Sequence, residues 1–363
     1  METPPNARQR ITNAAQWSLR RLGRLRIRLI LVTVVAVAAL GIGAGFAFAR
    51  GSTPTIGTGV VVVNTKLSYQ GGAGAGTGIV LTSSGEVLTN NHVIRGATSV
   101  QVVVPGTTHT YSGKVVGYDV SADVAVIQLS AASNLKTVSL GDSSKVTVGQ
   151  AVKALGNAGG TGTLTSATGT VAGIGKSITI SDDQGGTEQL AGMIETNAAL
   201  QPGDSGGPLL NSSGRVIGMD TAASTSFGFR AAAASVSYAI PINTATLIAK
   251  EIESAKATAL VHIGSTAFMG VQIASTLGNG GLGGPTSSGA LIAGTVQGGP
   301  AASAGLTAGD VITAINGQSV SSPSGVTSLI LLKKPGTKIT VTYTDQLGTS
   351  QVTTVTLGSG PPQ

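Results

Sequence analysis

The stretch QPGDSGGPL, residues 201–209, places one serine between glycines in a loop bounded by two prolines. A serine hydroxyl attacks a carbonyl efficiently only when a base takes its proton and amide N–H groups face the oxyanion that forms. Gly203 lets the backbone curl because it has no Cβ. We therefore expect the amides of Gly203, Asp204 and Ser205 to line an oxyanion hole. A simple glycine–serine turn is the alternative, and a base and an acid elsewhere in the chain would argue against it.

The candidate base is one of only three histidines. His92 lies within the stretch VLTNNHVI, residues 87–94, where an apolar strand gives way to polar residues at a predicted sheet edge. His109 lies in PGTTHT, a predicted hairpin tip, where a solvated side chain is a sufficient explanation. His262 lies in LVHIG without an acid or nucleophile motif beside it, so we interpret it as structural. His92 is therefore the predicted general base.

The candidate acid heads an apolar strand in SADVAVIQL, residues 121–129. Burying the Asp123 carboxylate is costly unless a donor satisfies it, and an imidazole N–H would do so while holding the useful tautomer. Asp119, in the turn GYDV, is the rival, although a solvated turn aspartate needs no further explanation. The order His92, Asp123, Ser205 is that of chymotrypsin-type proteases and differs from the Ser, Asp, His order of α/β-hydrolases.

Four motifs together resemble the HtrA/DegP family of trypsin-like serine proteases: TNNHVI at 89–94, DVSADVAV at 119–126, the 201–209 loop and YAIP at 238–241. NTKL at 64–67, GAGTGI at 74–79, QPGDS at 201–205 and VHIG at 261–264 also resemble a mycobacterial secreted branch of that family. The resemblance implies a mostly β fold, with a chymotrypsin-like double six-stranded β-barrel followed by one PDZ domain. It also implies ATP-independent proteolysis outside the cytoplasm. The family usually has asparagine immediately before the nucleophile, so Asp204 must find another partner or face water.

This interpretation divides the chain into seven segments. They are a basic cytoplasmic tail (1–28), a transmembrane helix or signal peptide (29–49), a linker (50–57), a trypsin-like protease domain (58–255), a second linker (256–266), a PDZ domain (267–358) and a C-terminal tail (359–363). Apolar residues at helical spacing predict an amphipathic helix over 241–254, at the end of the protease domain.

The positive charge of the chain is concentrated in its first 28 residues. The formal net charge is +7, and seven arginines precede an uncharged apolar stretch at 29–49. That stretch is long enough to span a bilayer, and the arginines predict a cytoplasmic N-terminus. A cleaved signal peptide is the alternative, because residues 47–49 read Ala-Phe-Ala, a small-x-small pattern. In both cases the protease domain is expected outside the cytoplasm, anchored to the membrane or secreted.

The stretch GPAASAGLTAGDVITAING, residues 299–317, resembles a PDZ domain. Phe268, Met269, Gly270 and Val271 stand where that family has its carboxylate-binding loop, and residues 322–332 would form the helix across the groove. Such a groove pairs an added peptide strand with the domain edge. The expected partners are C-terminal peptides, although a PDZ domain that only spaces or assembles subunits remains the alternative.

The pocket that selects the substrate side chain is expected to carry no charge. By alignment to the family its lining is Ala199, Leu200, Thr221, Ala222, Ala223 and Val236. Burying an unpaired lysine there would be costly. We therefore expect cleavage after small or medium apolar residues.

Three functions remain open at this point: a serine endopeptidase for unfolded or misfolded polypeptides, a chaperone or PDZ adaptor with little proteolysis, and a regulated protease for one membrane substrate. No metal-ligand spacing or phosphate loop is present, so no cofactor or metal is expected. After residue 28 the charges nearly balance, which argues against a nucleic-acid partner. Whether the chain forms a homo-oligomer is not decided by its sequence; by analogy with the family, the expected oligomer is a trimer.

Overall fold

The computed structural model of the protein describes residues 57–69, 71–181, 187–221, 236–258, 260–274, 289–331 and 333–363. The predicted basic tail and membrane segment at 1–49 lie outside these residues. Within the described ranges, none of the helices is both long and apolar enough to cross a membrane.

The first half of the described chain forms a ring of six antiparallel strands. They are β1 (Val60–Leu67), β2 (Gly72–Val80), β3 (Glu86–Thr89), β4 (Ser99–Val103), β5 (Thr110–Asp119) and β6 (Val124–Leu129). The pairing runs β5-β4-β1-β2-β3-β6 and closes because β5 also pairs with β6. A short helix, α1 (Asn91–Ile94), follows β3 directly. The interior is built from β-branched side chains such as Val63, Val102 and Ile127, which suit a pleated surface.

The second half forms another closed ring, in the order β10-β11-β12-β9-β8-β7. Its strands are β7 (Ala151–Gly156), β8 (Thr165–Ser181), β9 (Thr187–Thr196), β10 (Pro208–Asn211), β11 (Val216–Thr221) and β12 (Ser237–Pro241). Helix α2 (Ile242–Glu253) follows β12 and buries Ile242, Ala245, Ile248, Ala249 and Ile252. This spacing is the amphipathic pattern that the sequence predicts.

One hydrophobic cluster joins the two rings. It brings Ile79 and Val126 of the first ring together with Met219 and Ile240 of the second and with Ile248 of α2. Fully burying a side chain of this size stabilises a fold by about 1.5–3 kcal/mol. The cluster therefore holds the two rings in a defined relation, and the ends of β3, β6 and β11 meet near it.

The remaining residues form a smaller β unit with its own core. Its strands are β14 (Thr266–Phe268), β15 (Val271–Ile273), β16 (Ala290–Thr295), β17 (Val311–Ile315), β18 (Gln318–Ser319), β19 (Lys338–Thr344), β20 (Ser350–Thr356) and β21 (Gly358–Gly360). Helices α3 (Pro300–Ser303) and α4 (Pro323–Leu331) pack on them. Ala290, Ile312, Val326, Ile339 and Val341 lie in this core.

Two segments expected to be connections are strands instead. The predicted linker at 256–266 contains β13 (Val261–Ile263), which pairs with β5 of the first ring. The predicted tail at 359–363 begins within β21, which pairs with β14. Neither strand has the long alternating pattern from which strands are predicted, because each has only three residues and obtains its pairing from a distant partner.

Candidate active site

His92 lies in α1, at the edge where β3 ends. Val93 and Ile94 anchor this short helix by burial, with 9% and 0% of their surface exposed. The imidazole itself is 36% exposed. Its Nδ1 lies 2.8 Å from Oδ2 of Asp123, and the His92 amide donates to Oδ1 of the same carboxylate at 2.9 Å. One carboxylate therefore holds both the ring and the backbone of His92.

Asp123 adopts a backbone conformation that few non-glycine residues take, with φ 54°. Its carboxylate is almost completely buried. Two residues that sequence analysis did not assign to this role stabilise it: Thr221 donates its hydroxyl to Oδ2 at 3.2 Å, and Asn90 donates its side-chain amide to the Asp123 carbonyl at 2.9 Å. The sequence predicts Thr221 as a pocket wall, and in the structure its hydroxyl donates to the acid.

The rival residues lie in other environments. Asp119 accepts hydrogen bonds from the Ser121 hydroxyl and the Ala122 amide, so it closes a local turn. His109 is exposed next to Tyr111. His262 stacks on Tyr118 with ring centroids 5.0 Å apart, and burial lowers the pKa of its imidazole. Of the two aspartates, Asp123 is the one hydrogen-bonded to His92.

The loop around Ser205 requires glycine at two positions. Gly203 has φ +100° and Gly206 has φ +84°, and a Cβ would collide with the main-chain oxygen of Asn157 at the first and of Thr77 at the second. Both positions lie in the left-handed region where a side chain is strained. Ser205 is 5% exposed, at the turn between these glycines.

Thr77 of β2 ties this loop to the first ring, a role that no local motif indicates. Its amide donates to the Ser205 carbonyl at 2.8 Å and its hydroxyl donates to the Gly203 carbonyl at 2.7 Å. The same hydroxyl accepts the Asn157 amide at 2.9 Å. The loop is therefore held by one side chain from a strand more than a hundred residues earlier.

The serine loop and α1 converge on the same stretch of β2. A Cβ built on Gly76 would lie 2.7 Å from Val93 and 3.2 Å from the Ser205 carbonyl. On the other side, the Gly206 amide donates to the Asp220 carbonyl at 2.9 Å, and Asp220 precedes the Thr221 that contacts Asp123. The structure thus brings His92, Asp123 and the Ser205 loop together at the junction of the two rings.

The predicted oxyanion hole needs one correction. The Asp204 amide donates to the Gln201 carbonyl at 3.0 Å, within its own turn. That N–H closes the turn and does not point at a substrate, because a donor already engaged at good distance is not available for another acceptor. Gly203 and Ser205 remain as the candidate donors.

Asp204, in the serine loop, and Asp220, near the end of β11, are two buried carboxylates. Asp204 accepts the Gln201 amide with Oδ2, whereas its Oδ1 and both oxygens of Asp220 have no hydrogen-bond partner among the described residues. Burial raises the pKa of Asp204. Burial, and then the nearby Asp204 carboxylate, raise the pKa of Asp220 well above its ordinary value. The partner of Asp204 left open by the sequence is thus the Gln201 amide of its own turn.

The expected specificity pocket is only partly described. Ala199 is exposed, Leu200 is half-buried against the core of the second ring, and Val236 is 48% exposed. Ala222 and Ala223 lie outside the described residues. Leu200 therefore packs against the core of the second ring.

A groove lies where the sequence predicts a peptide site. Phe268, Met269, Gly270 and Val271 line a cavity of about 90 Å³ together with Val326 and Ile330 of α4. Gly270 has φ +77°, and the Met269 carbonyl accepts the Ala301 amide at 2.8 Å. The described residues contain no cluster of three or more His, Cys, Asp or Glu side chains that could hold a metal ion.

Two family models match the chain: the trypsin-like peptidase domain over residues 76–219 and the PDZ domain over residues 259–344. The serine protease PepD of Mycobacterium tuberculosis is 34% identical over 77% of this chain and 60% of its own length. A probable periplasmic serine protease of Haemophilus influenzae, Do/HhoA-like, is 35% identical over 73% of this chain and 54% of its own length. A solved HtrA-type protease, AlgW with a tripeptide, is 28% identical over 84% of this chain and 95% of its own, and has a TM-score of 0.47.

The chain spans about 60% or less of the length of these two curated relatives. Both matched domains coincide with the parts of the structure described above, and both relatives are named as serine proteases. The resemblance stated from the motifs is confirmed: the chain joins a trypsin-like peptidase domain to one PDZ domain and belongs with the HtrA/DegP-like serine proteases.

Proposed function

We propose that this protein is an ATP-independent serine endopeptidase that hydrolyses peptide bonds with His92, Asp123 and Ser205. The observation that carries the proposal is the 2.8 Å contact between His92 Nδ1 and Asp123 Oδ2 beside the constrained Ser205 loop. An aspartate in this position holds the imidazole tautomer whose Nε2 can accept a proton. The trypsin-like peptidase match supports the same chemistry.

In this mechanism His92 Nε2 takes the proton of the Ser205 hydroxyl as Oγ attacks the substrate carbonyl. The amides of Gly203 and Ser205 donate to the oxyanion. His92 then gives its proton to the departing amine, and the C–N bond breaks to leave an acyl-enzyme. A water molecule, deprotonated by His92, hydrolyses the ester and restores the serine. Asp123 remains ionised and stabilises the imidazolium throughout.

The substrates we propose are unfolded or misfolded polypeptides outside the cytoplasm, cleaved after small or medium apolar residues. A relative named as periplasmic supports this location. The apolar segment at 29–49 would then anchor the chain in the membrane or act as a signal peptide. The groove beside Phe268 would bind C-terminal peptides, because main-chain pairing and an apolar pocket suit an extended chain end.

The test compares the full chain with Ser205→Ala, and with Ser212→Ala as a matched control at an exposed serine of the same domain. Degradation of unfolded casein and labelling by a fluorophosphonate are followed in parallel. We expect both in the parent and in Ser212→Ala, and neither in Ser205→Ala. Labelling that persists in Ser205→Ala would refute the assignment. A folded parent that neither cleaves nor labels would favour the adaptor function instead. In a peptide library, a strong preference for lysine or arginine would contradict the apolar pocket.

A further inference from the structure

The helix that carries His92 cannot hold its own position. α1 has only four residues, and its N-cap residue Asn90 makes no side-chain capping hydrogen bond. Isolated helices of this length are unstable, because the entropy lost in ordering the first turn exceeds what its few hydrogen bonds contribute. The orientation of His92 therefore depends on contacts that α1 makes with the rest of the protein.

Residues 362 and 363 provide such contacts at both ends of α1. Gly96, just after the helix, donates its amide to the Pro362 carbonyl at 2.8 Å. Asn91, the first residue of the helix, donates its side-chain amide to the main-chain oxygen of Gln363 at 3.1 Å. Asn91 is completely buried, and Pro361 and Pro362 are buried as well. The two donors lie on either side of His92, and their two acceptors lie on one short segment.

The same segment is fixed on its other side. The Gln363 amide donates to the Tyr118 hydroxyl at 3.4 Å, and that hydroxyl also contacts the Thr266 hydroxyl at 3.0 Å. Gly360 pairs with Thr266 in the β14–β21 ladder, so residues 361–363 leave a strand whose position is defined. Tyr118 is itself buried at the end of β5. The segment is therefore anchored independently of α1.

We infer that the main chain of residues 361–363 is a positioning element for His92, which acts through Asn91 and Gly96 at the two ends of α1. This inference rests on the role proposed for His92. A displacement of about 1 Å in a catalytic group can cost on the order of a hundredfold in rate. Loss of the segment should therefore lower the chemical rate and leave substrate affinity nearly unchanged.

The experiment uses the full chain, a variant that ends at Gly360, and Asn91→Ala, which removes one donor and leaves the segment in place. Gln363→Ala is the matched control, because its main-chain atoms stay and, among the described residues, its side chain donates only to the Pro361 carbonyl, at 3.4 Å. The substrate is a short fluorogenic peptide. We expect kcat and fluorophosphonate labelling to fall about tenfold in both test variants, with KM within about twofold. Gln363→Ala should match the parent.

A second readout does not depend on activity. In the parent and in Gln363→Ala, the Nδ1 proton between His92 and Asp123 should give a low-field NMR resonance, identified by its loss in His92→Ala. We expect that resonance to shift or broaden in Asn91→Ala and in the shortened chain. If it changes while all forms are inactive, the positioning inference stands and the proposed activity fails.

An unchanged resonance and unchanged kcat in Asn91→Ala and the shortened chain would overturn the inference, whatever happens to the melting temperature. If the shortened chain does not fold, Asn91→Ala decides between these outcomes. A lower melting temperature alone would show a structural role without positioning.

Discussion

The carboxylate of Asp220 lies buried near that of Asp204, and three of their four oxygens have no hydrogen-bond partner among the described residues. Asp220 is 0% exposed and Asp204 is 5% exposed. Burial raises the pKa of both carboxyl groups, and for Asp220 the nearby Asp204 carboxylate raises the pKa further. Asp204 belongs to the serine loop, and Asp220 exchanges main-chain hydrogen bonds with Gly206 and Gly207 of the same loop.

The first prediction concerns stability against pH. An acid whose folded pKa is raised binds more protons in the folded state, so stability falls as pH rises above the ordinary value of 3.8 towards the raised value. Asp220→Asn removes one of the two ionisable groups. We expect it to raise the free energy of unfolding at pH 7 by roughly 1–3 kcal/mol and to flatten this decline, measured by urea unfolding from pH 4 to pH 8.

Asp119→Asn is the matched control for that experiment. Asp119 is also buried, yet its carboxylate accepts two hydrogen bonds, so losing the charge should destabilise the fold. An Asp220→Asn protein that is no more stable than the parent at pH 7 would contradict the prediction.

A second pH effect is predicted at the surface between β3 and α2. Burial, followed by a hydrogen bond and repulsion from Glu253, raises the pKa of Glu86 to about 7. Stability should therefore decline as pH rises from about 4.5 to about 7. Glu253→Gln keeps a hydrogen-bonding group and removes the like charge. We expect its melting temperature to fall less than that of the parent over this range, and an unchanged pH dependence would count against the pair.

The third prediction tests the acid. Asp123→Asn keeps the shape of the side chain but cannot stabilise the imidazolium, and it favours the wrong tautomer of His92. We expect kcat for a peptide substrate to fall by about 10³–10⁴, and the melting temperature to fall as well, because the Asp123 carboxylate is buried and accepts three hydrogen bonds. Asp119→Asn should retain kcat within about threefold. Equal losses in the two variants would mean that Asp123 has no special role.

The fourth prediction tests the tie between β2 and the serine loop. Thr77→Val keeps the volume but leaves the Gly203 carbonyl and the Asn157 amide without their partner. We expect kcat to fall about tenfold or more, because the oxyanion donors lose their support. Thr65→Val is the control: Thr65 is buried on the neighbouring strand, and its hydroxyl has no partner among the described residues. That variant should match the parent in kcat.

Local sequence was enough to predict the identity of the catalytic candidates. Gly203 and Gly206 are required by their own backbone angles, and a carboxylate heading an apolar strand needs a donor. The choice of Asp123 over Asp119 followed from that argument, and the structure places Asp123 against His92. The oxyanion role of Asp204 was wrong because its amide closes a turn, which the motif alone does not reveal.

The sequence by itself determined the residue types at the site, the helix over 242–253 and the domain pair, because each depends on neighbours within a few residues or on a motif. Only the tertiary structure decided what supports them. Thr77 meets Gly203 across 126 residues, Thr221 meets Asp123 across 98, and Asn91 meets Gln363 across 272. Such contacts are set by how two closed rings and a third β unit pack, and a hydroxyl or an amide carries no local sign of its distant partner.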